Sequence, residues 1–307
     1  MKIQNGYFKF ARTLLFCNLF LVLLLACSAP EKRPVGWAKV YEDCKDLFGR
    51  VDFERASDYA QELALAKPPN DYSQKGQVMG IILLSGLAQG YRDIGEAYGA
   101  GIDNLKNSDQ EGHYRRLRQD AYQYARTHIL HFAEVARKFI KSYDSKDDIG
   151  MDEVVVECPY PSAELPLSNP HLKKVKNGEW ITSENQIQGQ KIAIRMQTER
   201  SLAGAVGVEA DKVGEALQSG KATILRVEFN LYLAEELLRG AQIFDANGLD
   251  DSRALLVLCD QADASLSQTL EALDGTPNDD LKKRSRDVEK RLKKILSGAG
   301  YGLSRNK

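Results

Sequence analysis

Histidine and cysteine are scarce: 4 His and 5 Cys stand in 307 residues, too few for an extended metal scaffold or a disulfide-stapled framework. No Cys-x-x-Cys pair and no Cys-x-x-Cys-His run occurs, which removes a thioredoxin-type redox site and a covalently attached haem. A G-x-x-x-x-G-K-[ST] phosphate loop, a G-x-S-x-G elbow and a His-Glu-x-x-His pair are also missing. With them go the short signatures of nucleotide binding, serine hydrolysis and zinc proteolysis. Charge of one sign is lacking too, since 42 Lys+Arg against 43 Asp+Glu leave −1 at pH 7. There is no basic excess to draw the chain to nucleic acid. The 9 Pro and 24 Gly follow no G-X-Y period, so a collagen-like filament is excluded. What is present, 43% hydrophobic and 28% charged residues, suffices for one or two packed cores. No cofactor and no nucleic-acid partner is expected.

The longest apolar run lies at the start. Lys2, Lys9 and Arg12, with no acid among them, precede the stretch from Leu14 to Leu25, the charged and apolar regions of a secretory signal. The run is shorter than the roughly 20 residues of a spanning helix, and Ala26, Cys27, Ser28, Ala29 and Pro30 follow it at once. Residues 1–26 therefore read as a cleaved signal peptide and 27–35 as a tether. Leu24-Leu25-Ala26-Cys27 resembles the lipobox of bacterial lipoproteins. The resemblance implies that the Cys27 thiol is acylated, that the peptide is cut before it and that palmitate or its like anchors the chain. Two or more acyl chains hold stably, each buried CH₂ adding about 0.8 kcal/mol. By the sorting rule of Gram-negative lipoproteins, Ser28 behind the cysteine implies the outer membrane, with the body facing the periplasm. An ordinary signal peptide with an incidental cysteine, or an uncleaved anchor, is the alternative. Of the later cysteines, Cys44 and Cys259 sit on apolar helix faces and read as buried free thiols. Cys158 stands among prolines and reads as exposed, so any disulfide would include it, with either partner.

The body reads as helices. Leu84, Leu87, Tyr91, Ile94, Tyr98, Ile102 and Leu105 step by three and four through a helix from Tyr72 to Leu105. Tyr114, Leu117, Ala121, Tyr124, His128, Val135 and Phe139 repeat the pattern after a Ser108/Glu111 capping box. A loop at about Asn107 makes these two an antiparallel pair. Further stripes run from Ile224 through Val227, Leu231, Ala234 and Leu238 to Ala241, and from Leu255 through Cys259, Ala262 and Leu266 to Leu273. A charged last helix spans about Asp279 to Leu296, with Asp287/Arg291 and Glu289/Lys293 as surface pairs. Between Tyr143 and Ile181, Pro159, Pro161, Pro166 and Pro170 forbid a continuous helix, and Val154, Val155 and Val156 are the best strand candidate. We thus expect N-terminal helical hairpins over 36–143, a Pro-rich linker or insertion over 144–181 and a C-terminal helical region over 182–307. The fold class is all-α, a helical bundle or degenerate helical repeats with an irregular insertion between two helical halves.

Asp52-Phe53-Glu54-Arg55-Ala56, with Ala60, Leu63, Pro68 and Asn70 behind it, resembles the second helix of a tetratricopeptide repeat. Cys44 and Leu47 take the interlocking places of the first helix, while Asp43 departs from the usual Leu. The resemblance covers one unit of about 34 residues and implies a hairpin whose face receives a partner. Arg115, Arg116, Arg118, Ala121, Tyr124 and Ala125 resemble the repeat-built lipoproteins of TRAP-type transporters, which implies an accessory that takes a small organic ligand.

Three sets of residues are candidates for chemistry. His128, His131 and Glu134, at three-residue steps, could offer metal ligands from one helix side, but the helix seam explains both imidazoles by packing, and no metal is expected. Gly76/Gly80, Gly86/Gly90 and Gly95/Gly99 are small-xxx-small pairs that permit close approach of another helix. Tyr91, Tyr98, Tyr114 and Tyr124, with Tyr122 nearby, concentrate in the same helix pair, where amphipathic rings could line a groove for a partner or ligand. The expectation is a membrane-anchored envelope protein that acts by binding, as a scaffold for an envelope partner. A ligand-binding transport accessory is the alternative, and an envelope enzyme with an unrecognised site the second.

Overall fold

The computed structural model describes residues 36–105, 108–142, 153–160, 166–246 and 251–300. Cys27, the expected signal peptide and the loop at Asn107 lie outside them. Among the described residues the protein is all-α, with ten α-helices and one two-stranded sheet.

Helices α1 (Trp37–Gly49) and α2 (Phe53–Ala64) bury apolar residues at helical spacing: Val40, Cys44, Leu47 and Phe48 from one, Phe53, Ala56, Ala60 and Leu63 from the other. Val51 joins them at φ 64°, while the Asp52 amide reaches back to the Leu47 carbonyl at 3.0 Å. Glycine usually takes that left-handed corner, and a β-branched side chain there is strained.

Next come α3 (Ser73–Asn104), α4 (Glu111–Ser142), β1 (Glu153–Glu157), α5 (Pro170–Lys176) and α6 (Ser183–Val206). The one-turn α7 (Val213–Ala216), β2 (Lys221–Leu225), α8 (Arg226–Ala246), α9 (Ser252–Leu273) and α10 (Asp279–Gly298) complete the order. Asn169, Thr182, Asp251 and Asn278 each cap the following helix by accepting a hydrogen bond from an amide three residues on, which satisfies a donor the helix cannot.

α3 is the hub, packing on α2, α4, α5, α6 and α8. Every residue from Gly76 to Gly90 is buried, as expected for a helix enclosed all round. A Cβ at Gly86 would overlap the Thr198 Cα, and one at Gly90 would stand 2.6 Å from the Ile194 Cα. These α6 residues come in reverse order, so α3 and α6 run antiparallel with backbones nearly touching. Glycine costs a helix about 1 kcal/mol per residue, and this close packing offsets it. Gly80 against Val135 and Gly95 against Tyr122 set α4 antiparallel to α3 in the same way.

β1 pairs antiparallel with β2, Val154 opposite Ile224 and Val156 opposite Ala222. Val154 and Val156 face the core while Val155 is exposed, the alternation of a strand with one wet face. Ile224, expected on a helix stripe, thus belongs to a strand, and α8 begins just after it. Val227, Leu231, Ala234, Leu238 and Ala241 are buried on α8 as that stripe required.

The two helical halves are not separate bodies: α3 packs on α6 and α8, and one apolar cluster runs from Cys44 to Leu296. The expected insertion supplies part of the fold. Beyond β1, its Leu172, Val175 and Ile181 join Ile94, Tyr98 and Tyr114 in a second cluster. Cys158 corrects the exposed reading, since it is fully buried; Val154, Val156 and Cys158 continue one inward-facing period of two despite the prolines beyond. On α10, Lys293 pairs with Glu289 at 3.0 Å, but Asp287 takes Lys290 at 3.3 Å instead of Arg291. No helix among the described residues is long and apolar enough to cross a membrane.

Candidate functional site

Tyr91 of α3 and Tyr124 of α4 meet where the antiparallel helices run side by side. Their rings stack with centroids 5.0 Å apart, and His128, one turn on from Tyr124, stacks on Tyr91 at 5.6 Å and 10°. From α2, Glu54 accepts a hydrogen bond from the Tyr91 hydroxyl, and its other carboxylate oxygen lies 3.6 Å from His128 Nε2. Burial, then that hydrogen bond, pushes the Tyr91 pKa up, so the phenol stays neutral. Burial raises Asp58 too, and the neighbouring Glu54 charge adds to it. Tyr124 is 54% exposed. The result is a three-ring stack with Tyr91 at its centre, Tyr124 as the member that meets solvent, and Glu54 bonded to the central phenol.

His128 gives this corner a pH signature. Burial is the main reason its pKa falls to about 4, with His131 adding to it and Asp58 opposing. An unfolded imidazole takes its proton near 6.5, so between these values the unfolded chain holds one proton more. Stability from this group is full above pH 6.5 and is lost as pH falls toward 4, by at most about 3 kcal/mol. In urea unfolding across that range, His128→Phe is expected to flatten the dependence. A slope identical to that of the parent chain would refute the assignment.

The tyrosines do not form the single groove expected. Tyr98 and Tyr114 are 2% and 1% exposed and meet edge to face at 5.3 Å, with the Tyr114 hydroxyl donating to the Glu179 carbonyl at 2.6 Å. The physical reason is a change of neighbour along α3: α5 and the chain after it cover Tyr98, whereas Tyr91 lies nearer the rim. His128 is buried while His131 and Glu134 are exposed. Packing takes His128 inward, away from the other two, and no cluster of three His, Cys, Asp or Glu that could hold a metal occurs among the described residues.

Two features lay beyond sequence reasoning. An apolar cavity of about 750 Å³ opens where β2 meets α8, lined by Leu225, Val227, Leu273 and Leu281 with Asp279 and Asp280 at its edge. Its walls come from two stretches far apart in the sequence, 225–227 and 272–281, so no local pattern marks it, although Pro277-Asn278-Asp279 signals the helix start that forms its rim. The second is an internal ionic network. Glu236 of α8 accepts from the Ser85 hydroxyl and from Arg239 at 2.7 Å. Arg239 also reaches Gln197 Oε1 at 3.1 Å, and the Gln197 amide donates to Asp93 at 2.6 Å. Beside it, fully buried Glu199 accepts from Arg195 at 2.6 Å and from the Tyr160 hydroxyl at 3.0 Å. Each carboxylate has a cationic partner and a further donor, the condition under which buried charge is tolerated. These networks tie α3, α6 and α8 together. In the comparisons with known proteins, no family model, no curated protein and no solved structure matches this chain.

Proposed function

We propose that this chain is a lipid-anchored protein of the bacterial cell envelope, held by Cys27 at the outer membrane and facing the periplasm, where it binds a partner without transforming it. The observation that carries binding is the exposed Tyr124 ring, stacked on Tyr91, whose hydroxyl donates to Glu54. An exposed aromatic ring whose stacking partner is bonded to a carboxylate suits a cation, such as a lysine or arginine side chain on a partner protein. Such a contact is worth about 0.5–2 kcal/mol. The lipobox resemblance supports the anchor, and the one-unit repeat resemblance of α1 and α2 supports a partner-receiving hairpin.

Two measurements test this reading. Cys27→Ser is expected to abolish incorporation of labelled palmitate and to leave residues 1–26 attached to the chain; unchanged palmitate incorporation would refute the anchor. Proteins cross-linked to the anchored chain in the envelope are expected to be lost, or bound about 2- to 30-fold more weakly, on Tyr124→Ala. An identical partner set at identical strength would remove this surface from the account. A second reading, an accessory that carries a small organic ligand, is favoured by the cavity at Leu225 and Leu281. A small molecule released from the purified protein by denaturation, and lost on Leu281→Asp, would support it.

A further inference from the structure

Cys44 lies mid-way along α1, and Cys158 follows β1 directly. Both are free thiols with no exposed surface. Contacts on either side lay residues 157–159 along α1: the Tyr41 hydroxyl donates to the Glu157 carbonyl at 3.1 Å. Lys45 Nζ is 3.2 Å from the Glu157 carboxylate, which Lys75 holds from its other oxygen at 2.9 Å. A Cβ at Gly49 would stand 3.3 Å from the Pro159 ring. Tyr41, Cys44 or Lys45, and then Phe48 or Gly49, succeed one another along one face of α1. Cys158, between Glu157 and Pro159, therefore faces the turn of α1 that carries Cys44. After burial, the nearness of Cys44 is the next cause that pushes the Cys158 thiol pKa up. Cys259 is elsewhere, on α9, which packs on α4, α8 and α10.

We propose that Cys44 and Cys158 are a built disulfide site, closed by exchange with an external disulfide such as oxidised glutathione or the active-site disulfide of an oxidoreductase. The thiolate of one cysteine attacks the external disulfide, expels one of its sulfurs as a thiolate and forms a mixed disulfide. The second cysteine attacks the protein sulfur of that bond and expels the other. Two protein thiols lose two electrons and two protons, and the external disulfide leaves as two thiols. The thiolate is the nucleophile, and burial pushes Cys44 up to about 12. Exchange therefore proceeds while the chain folds, or through local opening, and is slow from the closed state. The bond would pin α1 to the segment that leaves β1.

The full chain, purified in detergent, is reduced in denaturant and refolded with oxidised and reduced glutathione. Remaining thiols are then blocked with N-ethylmaleimide in denaturant, and the digest is mapped by mass spectrometry. The expected product links the Cys44 and Cys158 peptides, two hydrogens lighter than their sum, and leaves Cys259 blocked. Cys259→Ser retains the link, and Cys158→Ser leaves Cys44 blocked. Without glutathione, native Cys44 and Cys158 are expected to react with N-ethylmaleimide at least about tenfold more slowly than in denaturant. Finding Cys44 and Cys158 both blocked after glutathione refolding, or either of them linked to Cys17, Cys27 or Cys259, would overturn the proposal. Since the oxidant is added in the test tube, the result is independent of where in the cell the protein resides.

Discussion

Replacing Glu236 with Ala is expected to lower stability by about 3–5 kcal/mol, because it strands the partner charge of a buried ion pair. Glu236 is 6% exposed, and its two carboxylate oxygens serve the Ser85 hydroxyl of α3 and the Arg239 guanidinium of α8. Without it, the acceptor left to Arg239 among the described residues is the Gln197 side-chain oxygen at 3.1 Å, a neutral group that cannot balance its charge. Coulomb attraction alone would overstate the worth of the pair, since both ions gave up their hydration to enter the core. The sharper expectation is therefore a comparison. Leu at both 236 and 239 should recover much of the loss, as well-packed apolar pairs often equal buried ionic ones. Urea unfolding of the single and double variants, followed by circular dichroism, decides it. A double variant no more stable than Glu236→Ala would mean that the network adds stability through geometry that apolar groups cannot replace.

Gly86→Ala is expected to destabilise the fold although alanine is the better helix former. The new methyl would overlap the Thr198 Cα and side chain, and a neighbouring backbone cannot rotate away as a flexible side chain can. Overpacking of this kind costs typically about 1–3 kcal/mol and occasionally more, against a propensity gain of about 1 kcal/mol. Gly86→Leu should prevent α6 from docking at all. The control is Gly112→Ala on α4, where, its chain neighbours and its own helix backbone aside, none of the described residues has an atom within 4 Å of the added carbon. The same chemical change there should leave stability unchanged or raise it by up to about 1 kcal/mol. Thermal unfolding of the two alanine variants tests the contrast, and a rise in stability for Gly86→Ala would contradict the antiparallel contact with Thr198 and Ile194.

How far the fold was legible in the sequence depended on whether each element has a polar side. α2, α4 and α10 alternate buried and wet faces, and their residues announce the helical period. α3 is buried all round from Gly76 to Gly90, so its glycine pairs were the better sign, pointing to close helix contact without naming the neighbour. α6 carried no legible stripe because its inward side holds Arg195, Thr198, Glu199 and Ser201, side chains that a hydrophobicity pattern counts as surface. Val154, Val155 and Val156 read as a strand, but their partner did not. Ile224 stands three residues before Val227, so β2 passes for the first turn of the helix that follows it. At the candidate site, Tyr91 and Tyr124 were visible as members of one helix pair, and Glu54 as part of α2. That Glu54 accepts from Tyr91 is a tertiary fact between residues 37 positions apart, and no local spacing encodes it. Cys158 misled for the opposite reason: the prolines after it outweighed the strand alternation before it.

The place of α3 in the chain has a consequence for synthesis. α6, whose backbone nearly touches it at Gly86 and Gly90, follows it in sequence, and α8 follows later still. At about 5–20 residues per second, Thr198 leaves the ribosome roughly 6–20 s after Gly86. Throughout that interval the Gly86/Gly90 notch of α3 lacks the helix it closes upon. α1 to α4 can associate, but the nascent chain holds an unfinished core with an open apolar seam, the kind of surface that invites a holding chaperone. A chain delivered across a membrane before folding would gain from the same order, because the last helices to emerge are the ones that complete the interior.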